Sequence, residues 1–450
     1  MPRLLLSIVF SLILFSACTD SNAQLDGPKA FTNVQVVDVE TGDIIPGQTV
    51  IISGDRIHAT GPVSEISIPE NAEVIDGGGR YLMPGLAEMH GHVPPTIPPA
   101  NFPDYYNEDY VTSTLFLYVA AGITTVRGML GYEDQLSLKE KVNSGEWIGP
   151  NLYLAGPSFN GNSVSSPEQA EEKVSNQFEE GWDLLKVHPG LTPEEYDAMA
   201  NTANELGIRF GGHVPADVGI VHALEMGQET MDHIDGYFLY LQQFPQDEWD
   251  PKMKEVVAMT KEAGAWIVPT QALWETIIGA GDYEAMADYE ELKYIPEAVR
   301  TNYINWVENT LTTNANYNAD NAELEAEWRQ KILSEMYEQD VKILMGTDAP
   351  QLFSVPGFSI HRELPYMSDA GMSNLDIIRS GTDAVGAYFS NEDTFGLIKE
   401  GHRADLILLE GNPLEDLGNL KDHSGVMVQG RWYSRDMIDE KLAELEERYR

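Results

Sequence analysis

The sequence is poor in cysteine and in basic residues. Cys18 is the only cysteine in 450 residues, so everything beyond it lacks disulfides, and a cysteine-free body is compatible with an oxidising compartment. Lysine and arginine number 28 against 72 aspartates and glutamates, a net charge of −44. Such a surface repels a phosphate backbone, which excludes nucleic acid as a partner. It also suits a protein working in salt, where counter-ions screen the self-repulsion and carboxylates hold water. There is no repeat of 20–50 residues and no low-complexity tract. Beyond the first residues no apolar run is long enough to cross a bilayer. Hydrophobic residues still make up 42%, enough for a sizeable core.

The N-terminus reads as a targeting segment. Arg3 precedes an apolar run over 4–15, too short for a stable membrane span, and Ser16-Ala17-Cys18 follows. The small residues before cysteine resemble a bacterial lipobox, although Phe15 stands where leucine is usual. The resemblance implies a signal peptide over 1–17, lipidation of Cys18 and a polar linker over 18–27. The expected localisation is therefore an exported bacterial lipoprotein, membrane-anchored, on the periplasmic side or cell surface. Its only membrane contact would be that lipid anchor.

Residues 30–80 contain valine- and isoleucine-rich runs ending at Gly or Asp turns, as in "FTNVQVVDV" and "QTVIISGDRIHATG"; "ADLILLEGNPL" and "GVMVQGRWY" repeat the pattern near the C-terminus. These ends predict one composite β domain, a small β-sandwich, from 28–84 and 392–435. Between them, short apolar strands alternate with helical segments. Eight strand ends fall near "GLAEMHGH", "GITTVRGM", "NLYLAGPS", "DLLKVHPG", "RFGGHVPA", "TMDHIDGY", "AWIVPTQA" and "VKILMGTDA". Ser166-Pro167-Glu168-Gln169 and Thr192-Pro193-Glu194-Glu195 carry the signature of a capped helix start. Eight βα units over 85–391 predict an α/β fold, a (β/α)8 TIM barrel. A long helical insertion over 274–339, carrying Tyr283, Tyr289, Tyr294, Tyr303 and Trp306, would lie on the catalytic face. It reads either as a lid or as helices packed on one another.

Chemistry in such a barrel gathers at the C-terminal strand ends. There the sequence places His90 and His92, which share a face as alternate residues, then Lys186, His213, His233 and Asp348. Four of the ten histidines fall at these positions. One strand-end histidine means little, because buried polar groups generally find partners. Six candidate ligands at one depth on five strands mean more. Arg127 at a strand end could pair with a substrate carboxylate or form a structural ion pair. His361 either contacts substrate or packs a helix start. His58, His222, His402 and His423 read as structural or surface residues. The Pro-rich loop over 93–103 reads as a stiff pocket wall.

"MPGLAEMHGH", "GITTVRGM", "LLKV", "GGHVP", "MDHIDG", "GTDAP" and "GLIKEGHRADLILLEGNPL" together resemble the amidohydrolase superfamily, in its imidazolonepropionase-like and prolidase-like branch, over about 28–435. The resemblance implies two divalent metal ions, zinc by the nitrogen and oxygen donors. His90, His92 and Asp348 would hold one ion, and His213 and His233 the other. Lys186 would bridge them as a CO2-derived carbamate, since an ammonium beside two dications is strongly repelled. It implies hydrolysis of an amide or peptide bond, in a dipeptide or N-acyl amino acid, through a metal-bound hydroxide, with Asp348 as base and then acid and His188 or Tyr237 helping the oxyanion. Glu88 and Gly128 stand where the family usually has Asp; neither is an expected ligand, and both bear on local substrate contacts. The alternatives are a cyclic amide, imidazolone or lactone hydrolase, a noncatalytic barrel, and, from another class, a solute-binding lipoprotein. The partner is a small-molecule substrate, and a homo-oligomer is compatible with all of these readings.

Overall fold

Strand propensity at the two ends of the chain resolves into a single sheet. A computed structural model describes residues 27–96, 106–311, 313 and 317–450. The signal segment, Cys18, most of the linker and 97–103 of the Pro-rich loop lie outside the described residues. The N-terminal strands are β1 (Lys29–Asp38), β2 (Asp43–Ser53), β3 (Arg56–Pro62), β4 (Glu73–Asp76) and β5 (Tyr81–Pro84). The middle of the chain supplies β6 (Leu86–Gly91), β7 (Ile123–Gly128), β8 (Asn151–Leu154), β9 (Leu184–Val187), β10 (Arg209–Gly212), β11 (Thr230–Asp232), β12 (Trp266–Val268) and β13 (Lys342–Ile343). The C-terminal side adds β14 (Leu406–Leu409), β15 (His423–Val428) and β16 (Arg431–Ser434).

Strands from both ends interleave in the order β16-β15-β14-β5-β1-β2-β3, with β4 beside β1. The seam is the antiparallel pair β14–β5, in which Ile407 faces Met83 and Leu406 faces Pro84. Phe31, Val50, Ile52, Leu82, Leu406 and Met427 close a core over this mixed sheet.

The middle strands are all parallel, in sheets ordered β6-β7-β8 and β13-β12-β11-β10-β9. All eight expected strand ends are found. Apart from the first residues of β10, β12 and β13 they are buried on both faces, which explains why they read as apolar runs without alternation. A parallel bridge from Ala155 to Leu184 links the β8 and β9 sides. At the other margin Met89 donates to Met345 O (2.9 Å), Asp348 to His90 O (2.6 Å) and His92 to Ala349 O (2.7 Å). Helices fill the crossovers. Thr192 and Glu195 form the expected reciprocal capping box ahead of Pro193–Leu206. At Pro167–Glu180, Ser166 caps the Gln169 amide, while the Gln169 side chain accepts from Ser165.

The insertion contains the helices Gln271–Ile278, Tyr283–Ala287, Glu297–Trp306 and Ala319–Glu338. Its aromatics join a cluster separate from the main core, in which Tyr303 meets Phe353, Tyr294 meets Phe358, and the C-terminal helix Arg435–Arg448 contributes Ile438, Leu442 and Leu445. No helix among the described residues is long and apolar enough to cross a membrane.

Candidate metal centre

Six chain-distant side chains meet at the C-terminal ends of the parallel strands. His90 is the penultimate residue of β6 and Lys186 of β9; His213 and His233 directly follow β10 and β11. The register makes the convergence possible: Lys186 lies opposite Gly211, and Gly211 opposite Thr230. Gly212 has φ +119°, and a Cβ there would sit 2.6 Å from Val187 O and 2.9 Å from Lys186 Cδ. Only glycine lets the Lys186 side chain pass. Gly346 plays the same part beside β6, where a Cβ would lie 2.8 Å from His90 N.

The tightest group is His90, His233 and Asp348, whose ligand atoms all lie within 4.8 Å of one another. His92 joins through Asp348, with Nε2 2.5 Å from Oδ1, and Lys186 through His90, with Nζ 3.1 Å from Nε2. The His213 and His233 ring centroids are 4.5 Å apart. The six expected ligands are therefore neighbours. His233 lies between His90 and His213, with ring centroids 4.3 and 4.5 Å away. Outer partners face the rings. Asp232 Oδ2 lies 2.7 Å from His90 Nδ1, Thr270 Oγ1 2.7 Å from His233 Nδ1, and Asp235 Oδ2 2.6 Å from His213 Nδ1. Hydrogen bonds at Nδ1 orient the His213 and His233 rings, the usual outer support of a metal-binding histidine, and Asp232 stands at ion-pair distance from His90.

The donor set fits a divalent metal. His233 Nε2 is fully buried without a hydrogen-bond partner, on the ring face turned to Asp348. A buried polar atom left open in this way costs stability unless something binds it. Imidazole and carboxylate are the donors that zinc and its neighbours accept. Three residues here also hold left-handed backbone: His233 (φ 64°), Thr270 (φ 49°) and Asp348 (φ 62°). Non-glycine residues in that region are strained and gather at functional sites.

The electrostatics follow from burial. Burial is the largest influence on His90 and His233 and pushes both well below the usual histidine range, with neighbouring positive groups adding to it, so both rings are neutral donors. Burial also brings Lys186 down to about 8, against the pull of Asp232 and Asp348. At Asp232 burial is outweighed by Arg127 and Lys186, and its carboxyl stays below the usual range.

A cavity of about 330 Å³ opens on this cluster. His90, His92, Lys186, His213 and Asp348 form its floor; His188, Tyr132, Leu130, Trp274 and Ile277 line its walls. His188 stacks on His213 at 4.9 Å, and burial drives its ring far below the usual range, so it is neutral. Among the described residues of the insertion, Trp274 and Ile277 of the first helix reach this cavity. Glu363 holds that helix by accepting from the amides of Gln271 and Ala272, both at 2.9 Å.

Three expected substrate contacts lie elsewhere. Arg127 is fully buried. It donates to Met89 O (2.6 Å), to Thr230 and Tyr388, and through Nη2 to both Asp232 oxygens at 3.0 Å. With every nitrogen engaged, it is the structural ion pair rather than a carboxylate clamp. Tyr237 is fully buried and bonds Thr260 Oγ1 at 2.7 Å, so Tyr237→Phe should cost about 1 kcal/mol in a denaturant titration and leave KM unchanged. A raised KM would restore it to the site. His361 lines a different cavity.

Glu88 and Gly128 also find physical accounts. Glu88 is a buried staple between β6 and the segment that follows β13, accepting from Thr347 N (2.7 Å), Thr347 Oγ1 (2.5 Å) and His90 N (3.1 Å); burial raises it to about 8. At Gly128 a Cβ would meet Leu154 Cδ2 at 2.8 Å, leaving little room for an acid. Sequence reasoning missed Asp232, Asp235 and Thr270. For the two acids the signal was present, because both flank His233 in "MDHID".

The amidohydrolase family profile matches residues 81–433, most of the chain and all six converging residues. The chain belongs to the amidohydrolase family. This is a family of enzymes acting on C–N bonds, whose members use divalent metals. Among curated relatives, adenine deaminase 3 of Rhizobium meliloti is 26% identical over 213 residues, 45% of this chain and 35% of that protein. Ochratoxinase of Aspergillus niger is 22% identical over 401 residues, 75% of this chain and 71% of that one. The chain thus spans only about a third of the length of that deaminase. Among solved structures, a Xaa-Pro dipeptidase with methionine in its active site superposes with a TM-score of 0.67 at 22% identity, over 91% of this chain and 100% of the other. At that identity the likeness shows the fold, the TIM-barrel-like α/β architecture of amidohydrolases.

Proposed function

We propose that this amidohydrolase cleaves an amide or peptide bond in a small substrate, of the dipeptide or N-acyl amino acid type. The observation that carries the reading is the convergence of His90, His233 and Asp348, with His92 and Lys186 in contact, on the floor of one cavity. When bound, two divalent ions, zinc by the donor set, would polarise the substrate carbonyl and acidify a water. His90, His92, His213, His233 and Asp348 would hold them. Lys186 would join as a carbamate, because its ammonium would otherwise face dications at close range. The chain's own chemistry is proton movement and orientation. Asp348 takes a proton from the attacking water and returns it to the leaving amine. His188, neutral and on the cavity wall, contacts the substrate. Trp274 and Ile277 shield the reacting bond from solvent.

The parallel strands over 85–391 are read as a closed (β/α)8 barrel, supported by the contacts at both sheet margins. The composite sheet of 28–84 and 392–435 is read as a small sandwich, supported by its separate core. Export and anchoring through Cys18 belong to the same proposal and rest on the sequence of 1–18 alone.

Metal analysis of the purified protein, followed by a panel of dipeptides, N-acyl amino acids, lactones, cyclic amides and adenine, tests this. About two transition-metal ions per chain and release of amine from the acyclic amides are expected. A folded, metal-supplemented protein holding none would overturn it. Turnover of adenine alone would transfer the site to the chemistry named for its deaminase relatives.

A further inference from the structure

The helix Gln271–Ile278 presents Trp274 and Ile277 to the cavity over the metal centre. The first amides of a helix have no partner within it, and the side chain of the residue ahead of them commonly supplies one. Thr270 stands at that position and is of a capping type, yet it makes no side-chain cap. Its backbone is left-handed (φ 49°), and its hydroxyl lies 2.7 Å from His233 Nδ1. The group that would close the start of the helix is committed to the metal centre instead.

Glu363 takes over that task from far along the chain. Its side chain is fully buried, and it accepts from the Gln271 amide on one oxygen and the Ala272 amide on the other, both at 2.9 Å. Burying a carboxylate is costly unless its oxygens are met, and here two backbone donors meet them. Tyr366, three residues on in the same helix Ile360–Asp369, donates to Glu275. Residues at that spacing share a helix face, so the two hold the wall helix from one side. From the helix Ala319–Glu338, Arg329 bonds Gln271 Oε1 at 3.2 Å, donates to His233 O and lies 4.8 Å from the centre of the Trp274 ring. Trp274 in turn stacks on His233 at 5.0 Å.

We infer that Glu363 is a positioning residue for substrate binding: it holds the wall of Trp274 and Ile277 against the substrate, while Thr270 serves His233. The two tasks are separable. Wall contacts act on bound substrate and transition state alike, so loosening them raises KM and leaves kcat. His233 keeps its bonds to Thr270 and Arg329 when Glu363 is changed, so the metal is retained. The inference rests on the reading of this cavity as the substrate site of a hydrolase.

Glu363→Gln in the whole protein tests it. The amide oxygen can replace one carboxylate oxygen, but the side-chain NH2 then faces a backbone N–H, donor against donor. Amide hydrogen exchange should quicken about tenfold or more over 271–278 and stay unchanged over 193–206. With N-acetyl-L-phenylalanine and glycyl-L-phenylalanine as probes, KM should rise about fivefold or more, with kcat within about twofold and metal content unchanged. In Ile277→Ala, where the wall is already cut back, adding Glu363→Gln should raise KM less than about twofold. Glu363→Asp keeps the charge one methylene shorter; it should fall between wild type and Glu363→Gln, and it carries the test if Glu363→Gln does not fold. Unchanged exchange over 271–278, a fall in kcat without a rise in KM, loss of metal, or the full rise in KM in Ile277→Ala would each overturn the inference. A wild type that cleaves neither probe would count against the hydrolytic reading instead, and the exchange measurement would still decide whether Glu363 holds the helix.

Discussion

Asp348→Asn should reduce turnover by on the order of a thousandfold or more while leaving most of the bound metal in place. The carboxylate lies among three of the imidazoles, at 2.5 Å from His92 Nε2, 3.5 Å from His90 Nε2 and 3.7 Å from His233 Nε2. Asparagine keeps its size and one oxygen but cannot accept a proton from water. It also tolerates the left-handed backbone that residue 348 adopts, so the fold is spared. Alanine would confound the result by adding strain at φ 62°. Steady-state kinetics and elemental analysis of one preparation separate the two effects. Retained turnover would remove Asp348 as the proton carrier. Joint loss of turnover and metal would make it a ligand first.

Arg127→Ala should destabilise the fold by about 3–5 kcal/mol, because it strands the buried Asp232 carboxylate without its partner. The damage should reach the site, since Asp232 also anchors His90 at 2.7 Å. Metal affinity is therefore expected to fall together with the denaturation midpoint. Arg127→Lys should recover only part of the loss: a point charge cannot bond both Asp232 oxygens and also reach Met89 O, Thr230 and Tyr388. A clamp for a substrate carboxylate would behave differently. Stability would hold and KM would rise. Chemical denaturation with metal analysis distinguishes the two.

The six converging residues were legible because each lies at or beyond the end of a short apolar strand, and burial makes such strands conspicuous. β13 is only two residues long, yet "VKILMGTDA" was readable because its apolar run leads into Asp348, five residues beyond the strand. The composite sheet was legible for the same reason, through valine-rich runs at both ends. Partnership was not legible. Arg127 at a strand end looks the same whether it faces a substrate or an aspartate a hundred positions away, and only the fold brings Asp232 to it. Tyr237 and His361 failed similarly, since a position after a strand does not say which way a helix start will turn. The aromatics of 274–339 favoured helix packing over a lid, and the cluster they form agrees.

The seam between β5 and β14 also bears on how the chain acquires its structure. Met83 cannot find Ile407 until nearly all of the polypeptide has been made. Until then the edge of β5 that faces β14 has no neighbour to cover it. Pairings this distant carry a large loop-closure cost and slow the approach to the native state. Nascent chains cut short before β14 should therefore expose an apolar strand edge and depend on holding factors, whereas the helices of the middle crossovers can form as they emerge.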